Sequence, residues 1–174
     1  ERIAKIVDEL RTFSRKDEGK TSFNVVGAIN ETVFLLKQIY LKQGVILEVE
    51  IEDDGLFIYG NKGKFHQVVV NLLSNARDAT EEQEHRLIRV TVSKEVGEAK
   101  IVVKDNGKGI KEEDLDKIFN PFFTTKSPKL GTGIGLSVTH KIVKEHDGEI
   151  TCKSSPGRGC EFTVKLPLVV KNTS

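Results

Sequence analysis

The sequence predicts an α+β fold, a two-layer α/β sandwich whose mixed, mostly antiparallel sheet is covered by about three helices. Helical and strand-like patterns are intermixed along the chain without the regular strand–helix–strand alternation that builds a parallel sheet. Two pairs of strand patterns are separated by short glycine-bearing turns, the mark of antiparallel neighbours. A chain of 174 residues with no transmembrane-length apolar run has room for one compact domain and a short appendage, and can bury a substantial core without staples.

The appendage comes first. In residues 1–18, Ile3, Ile6, Val7, Leu10 and Phe13 recur at spacings of three and four with charges between them. That is an amphipathic helix, its stripe narrow enough for a two-helix seam, with a helix packed on its own domain as the plainer alternative. It ends near Asp17-Glu18-Gly19, which divides the chain into 1–19 and a domain over 20–174. A helical pattern runs from Val25 to Lys42, and Val45–Ile51 then alternates apolar and acidic residues as a half-buried strand does. Leu56–Tyr59 is a further short strand, Lys62–Thr80 a helix, and 87–96 and 99–104 an antiparallel pair turned at Gly97. Residues 111–132 form a long connection rich in Lys, Pro, Thr and Gly, and a helix follows over Gly133–Glu145. The last strands, 149–155 and 159–168, flank Ser155-Pro156-Gly157-Arg158-Gly159.

Composition excludes more than it assigns. Lys and Arg total 27 against 26 Asp and Glu, so no bulk charge draws the chain to nucleic acid or anionic membrane. The two cysteines, Cys152 and Cys160, read as small residues on neighbouring strands, and a reducing cytoplasm is the expected location. The chain begins at Glu1 rather than Met and is expected to be a piece of something longer.

Four segments carry chemistry. On the helix over 62–80, Phe65, Val68, Val69, Leu72, Leu73, Ala76 and Ala79 make a core face, while Asn71, Asn75 and Asp78 fall on a polar stripe about 80–140° away. Asparagine at i and i+4 offers neutral carbonyl oxygens that can complete the shell of a Mg²⁺ whose other ligands are phosphate and water. Asp105-Asn106-Gly107-Lys108-Gly109-Ile110 closes a strand with no returning partner; its glycines permit close approach of a ligand, and its carboxylate can accept a hydrogen bond from an exocyclic amine such as that of adenine. Three of the nine phenylalanines lie in Phe119-Asn120-Pro121-Phe122-Phe123, inside the long connection, either as a cover folded onto the domain or as a patch for a partner. Gly131-Thr132-Gly133-Ile134-Gly135-Leu136 enters a helix, where unpaired N–H groups and the dipole favour phosphate. Leu136 stands where a dinucleotide fingerprint needs glycine, and no P-loop motif occurs.

Together and in this order, the segments resemble the N box, first glycine box, F box and second glycine box of sensor histidine kinases, members of the GHKL ATPase superfamily. The resemblance covers residues 20–168, including the closing strand from Gly159 to Pro167. It implies ATP held between the N-box helix and a flexible lid over about 110–132. Asn75 would ligate Mg²⁺ and Asn71 would support the phosphates, the two forming the catalytic pair. Asp105 would take the adenine amino group, Gly107 and Gly109 would admit the base, and Thr163, matched to a threonine of the family's last strand, would steady that contact. Lys126 and the backbone of Gly131, Thr132, Gly133, Ile134, Gly135 and Leu136 would face the phosphates, with Asp78, Ala79, Ile110 and Phe119 completing the ATP-binding set. Many histidine kinases carry Lys or Arg where Asp78 stands. ATP hydrolases of the superfamily, such as gyrase and MutL types, carry a glutamate four residues before the Mg²⁺ asparagine; Asn71 stands there, and an amide is no general base for water.

The resemblance also implies what lies outside. His66, His85, His140 and His146 are the histidines present, none in the family's acceptor context, and each is expected to be a solvated surface residue. The acceptor would sit on a dimerisation hairpin whose second helix ends in residues 1–18. The expected partners are ATP, that histidine-bearing hairpin and a response regulator, but not nucleic acid, with the isolated domain monomeric, the full-length protein a homodimer, and the parent either soluble or membrane-anchored. The competing readings are a GHKL-type ATPase, disfavoured by Asn71, and a non-catalytic nucleotide-binding module, disfavoured by intact Asn75, Asp105 and glycines.

Overall fold

Asparagine starts both long helices. Asn24, in extended conformation, accepts a 2.9 Å hydrogen bond from Val26 N–H, and Asn61 accepts one of 2.9 Å from Lys64 N–H. Each satisfies a donor that a helix start leaves without an intrahelical partner. In the structure, a computed structural model describing residues 19–126 and 133–170, these caps open α1 (Val25–Lys42) and α2 (Lys62–Ala79). The other elements are β1 (Thr21–Asn24), β2 (Val45–Ile51), β3 (Phe57–Gly60), β4 (Arg86–Glu95), β5 (Glu98–Asp105), the single turn α3 (Glu112–Leu115), α4 (Gly135–Glu145), β6 (Glu149–Ser154) and β7 (Cys160–Pro167). The helix expected over 1–18 lies outside the described residues.

The expected sandwich is present. Five strands form the main sheet in the order β2-β4-β5-β7-β6; β2 runs parallel to β4, and every other neighbour is antiparallel. Ile88, Val90 and Val92 on β4, Ile101 and Val103 on β5, and Phe162, Val164 and Leu166 on β7 are buried on one face, against the helices. Alternate residues face away, as pleating requires. From α2, Phe65, Val68, Val69, Leu72, Leu73 and Ala76 enter the same core, as the periodicity predicts, while Ala79 is half-buried.

Three features differ from expectation. First, Thr21–Asn24, where the sequence shows no strand pattern, is a strand, paired antiparallel with β3 in a separate two-stranded sheet. Its partners lie 33 to 39 positions further along the chain, from Asn24 with Phe57 to Thr21 with Gly60, so the pairing is tertiary and four residues show no period of their own. Second, His66 and His146 are buried rather than solvated, at 7% and 8% exposure. His66 Nδ1 lies 2.8 Å from Thr32 Oγ1 and Nε2 3.1 Å from Glu31 Oε2, between α1 and α2. Third, His146 is a joint: its Nε2 accepts the Asn61 N–H at 3.0 Å, which leaves Nδ1–H to donate to Ile142 O at 2.8 Å. Its ring lies so close to Gly60 that a Cβ there would sit 2.1 Å away.

Candidate nucleotide site

The polar stripe of α2 meets a different part of the molecule at each turn. Asn71 Nδ2 donates to Gly135 O at 3.1 Å and lies 3.2 Å from Thr139 Oγ1, tying α2 to the first turn of α4. One turn on, Lys126 Nζ reaches Asp78 Oδ2 at 2.6 Å and Asn75 Oδ1 at 3.4 Å. At the helix end, Ala79 O accepts Lys108 N–H at 3.0 Å. Gly107 packs so tightly there that a Cβ would stand 2.3 Å from the same oxygen. The stripe from residue 71 to 79 spans about 12 Å of helix axis. Arg77 faces α1, its guanidinium 5.6 Å from the Tyr40 ring centroid.

Asp105 ends β5 in the core face, 5% exposed. Burial pushes its carboxyl up to about 6, against the opposing pull of N–H groups from Gly107, 2.8 Å from Oδ1, and Cys160. A hydrogen-bonded but desolvated carboxylate is suited to a donor that arrives with a ligand. Around it the chain leaves no room. Gly159 adopts φ +73, and a Cβ on it would stand 1.9 Å from Asp105 O. Ser154 Oγ links the loops, accepting Ile110 N–H at 2.8 Å and donating to Gly159 O at 2.7 Å.

Thr163 is not beside Asp105. It pairs with Val102, on the sheet face turned from the helices, whereas Asp105 pairs with Cys160. The period of two decides this: Phe162, Val164 and Leu166 are the core face of β7, and Cys160 shares their parity while Thr163 does not. Cys160 is the residue the sequence analysis missed, and the parity was the signal that could have found it. Its Sγ lies 3.1 Å from that of Cys152, both thiols being free, and this contact and burial raise the Cys160 pKa. Asn106 was also missed as a strut: its Oδ1 accepts Leu87 N–H at 3.0 Å and its Nδ2 donates to His85 O at 2.6 Å.

The phenylalanine segment uses its rings in two ways. Ile118 is buried, and the half-buried Phe119 ring lies 5.3 Å from His140 and 6.3 Å from Phe162. Phe122 turns outward, 75% exposed, at φ +65. Its N–H donates to Gly133 O at 2.8 Å, joining this segment to the start of α4. Ile134 precedes α4, no side chain among the described residues caps that helix, and Leu136 packs against the core. Gly131 and Thr132 lie outside the described residues.

Among the described residues no group of three His, Cys, Asp or Glu could hold a metal unaided. A divalent cation at α2 would therefore take most ligands from phosphate and water, the habit of Mg²⁺. Asn75 Oδ1 and Asp78 Oδ2 fit a partial ligand set, since both already face a cation, the Lys126 ammonium. A groove of about 600 Å³ lies elsewhere, along β2 and the C-terminal half of α1, walled by Leu41, Val45 and Ile46 and by the Glu48 and Arg89 pair. Its charged lining is Lys37, Glu48, Glu50 and Arg89, and Glu48 and Arg89 are already paired with each other at 2.9 Å.

Comparisons with known proteins show the family. Residues 60–170 match the family of histidine kinase-, DNA gyrase B-, and HSP90-like ATPases. The chain is 35% identical to the two-component sensor PprA of Pseudomonas aeruginosa over 174 residues, an alignment covering 96% of this chain and 19% of PprA. It thus spans about a fifth of that relative's length. The nucleotide-free catalytic domain of histidine kinase ThkA superposes with a TM-score of 0.76 at 32% identity, covering 87% of this chain and 96% of that one. ThkA solved with the response regulator protein TrrA gives a TM-score of 0.74 at 30% identity, covering 97% of this chain and 48% of that one. With most of its length matched by the family model and the ThkA catalytic domain matched almost throughout, the chain belongs to the histidine kinase-, DNA gyrase B-, and HSP90-like ATPase family, as a catalytic domain of the sensor histidine kinase type.

Proposed function

We propose that the domain binds Mg-ATP along α2 and donates its γ-phosphoryl group to a histidine on a dimerisation hairpin outside this chain. The observation that carries this is the order of contacts on one helix: the start of α4 at Asn71, a cation at Asn75 and Asp78, and the loop after buried Asp105 at Ala79. Asp105 accepts the adenine amine, Gly107 and Gly109 leave space for the base, and Ala79, Ile110 and Phe119 enclose it. Lys126 and the N–H groups of Gly133 to Leu136 at the start of α4, with those of Gly131 and Thr132 in the same sequence motif, hold the phosphates. Asn71 holds the α4 start in register and Asn75 offers its carbonyl oxygen to Mg²⁺, which when bound neutralises phosphate charge. Asn71 cannot act as a base toward water, and its amide is spent on α4. What remains is positioning and charge neutralisation, the main protein contribution to phosphoryl transfer.

Residues 1–19 continue into the hairpin on this reading, and a response regulator receives the phosphoryl group next, as the solved pairing of ThkA with TrrA supports. The full-length protein is then a homodimer built through the hairpin, with this domain monomeric by itself. No helix among the described residues is long and apolar enough to cross a membrane.

The test mixes the chain with γ-labelled ATP and a separately made hairpin of the same kinase. Label should appear on the hairpin histidine, and Asn75→Ala should lower the rate by about 100-fold or more. Undiminished transfer by Asn75→Ala sinks the Mg²⁺ assignment. Rapid phosphate release without transfer would favour the ATPase reading instead.

A further inference from the structure

Asp78 has its two oxygens committed to different partners. Oδ1 accepts from Arg77 Nε at 3.1 Å and Nη2 at 2.9 Å. Arg77 is itself braced by the Tyr40 ring and by Ser74 Oγ at 3.5 Å, so Asp78 is held with Oδ2 turned toward Asn75. At that point both Oδ2 and Asn75 Oδ1 meet the same ammonium, Lys126 Nζ, at 2.6 and 3.4 Å. The contact is half-enclosed, with Lys126 and Asp78 side chains 26% and 27% exposed. An amide oxygen and a carboxylate oxygen on adjoining positions of one helix face, converging on one cation, are the donor types a hard divalent ion takes.

We propose that Asn75 Oδ1 and Asp78 Oδ2 form one cation site, with Lys126 as its built-in occupant in the nucleotide-free domain and Asp78 as the second protein ligand of the incoming divalent ion. This rests on the reading that Asn75 faces Mg-ATP. Lys126 and the divalent ion carry like charge and need the same two oxygens, so one must leave for the other to enter. The triphosphate provides the reason to leave, because it offers the ammonium an anionic partner while bringing further oxygens to the metal. Metal loading is thereby tied to nucleotide arrival, and a free divalent ion is kept out. The Asp at 78 is what makes the exchange work, since Lys or Arg there would repel both cations.

The test uses Mn²⁺ as a paramagnetic probe, with the side-chain amide signals of Asn75 and no nucleotide present. In the wild-type chain, Mn²⁺ should leave these signals sharp at concentrations that broaden them in Lys126→Gln, whose apparent Mn²⁺ affinity should be tighter by about tenfold or more. Adding Asp78→Asn to Lys126→Gln should abolish the gain. No broadening in Lys126→Gln, equal broadening in the wild type, or broadening indifferent to Asp78→Asn would each overturn the shared site. A separate arm adds Mn-ATP to the wild type. If Asn75 stays sharp there, the nucleotide reading itself fails, whereas broadening with Mn-ATP combined with indifference to Asp78 removes the shared site alone.

Discussion

Asp105 couples the core to the ligand through one proton. Because burial raises its carboxyl from 3.8 to about 6, the fold favours the protonated form. The stabilisation is fully present below pH 3.8 and is lost as pH rises through about 6. A shift of about two pH units makes this worth at most about 3 kcal/mol. Nucleotide acts in the other direction, since an adenine amine donating to the carboxylate favours the ionised form. Affinity for ATP should therefore climb between pH 5 and pH 6 and level off above about 6, while the stability of the unliganded domain declines over the same interval. Asp105→Asn should flatten both profiles and weaken ATP binding. Calorimetric titration and thermal melts at matched pH values would read this, and ATP affinity equal at pH 5 and pH 7 would remove Asp105 from the adenine site.

Asn71 shows how an element-level contact overrides a residue-level analogy. Installing glutamate there, by likeness to the hydrolases, looks like a way to activate water. In the structure the Asn71 amide is the donor between α2 and α4, facing Gly135 O and Thr139 Oγ1. Glutamate would set a carboxylate against a carbonyl oxygen, so Asn71→Glu should lower stability by about 1–3 kcal/mol and should not raise hydrolysis. Phosphate release and urea unfolding measured on the same variant decide it. The other joint of α4 lies at His146, and His146→Ala, which removes the acceptor of Asn61 N–H, should cost about 1–3 kcal/mol with ATP affinity unchanged within about twofold. A binding loss equal to that of Asp105→Asn would place His146 in the site instead.

These joints also mark what sequence could and could not reveal. The long helices, the β4–β5 turn and the two stripes of α2 were legible because 3.6- and 2-residue periods are written within one segment. The burial of His66 was not, because α2 has a second contact: His66 and Val70 turn to the side where α1 packs, beyond the single core face that the period implied. Thr163 failed through parity, and Lys126 could be suspected but not placed, since the loop that carries it shows no period. The four boxes named candidate residues for the nucleotide; the contacts among those residues required the fold.

For the whole molecule, the residues assigned to nucleotide come from segments far apart in sequence: 71–79 on α2, 105–110 after β5, 119–126, and the start of α4. Beyond the core that Leu72, Phe119, Leu136 and Phe162 share, the loops among them are tied by single contacts, such as Lys108 N–H to Ala79 O, Phe122 N–H to Gly133 O and Lys126 Nζ to Asp78 Oδ2. Segments joined so lightly open locally at low cost, and a ligand that bridges them should close them. With Mg-ATP at 100 times its Kd, linkage gives about 2.7 kcal/mol, which for a domain of this size raises Tm by roughly 5–10 °C. ATP with a chelator should give a smaller shift. Hydrogen exchange should show where the stabilisation goes: slowed exchange in the C-terminal half of α2, in 106–110 and at the start of α4. Amides of α1 and of edge strand β2 should change little, because no proposed contact reaches them. That contrast separates two locations, since a ligand held in the groove beside Leu41, Ile46 and Arg89 would protect β2 and α1 first. Protection appearing there, with 106–110 unchanged, would move the nucleotide site from the middle of the sheet to its β2 edge.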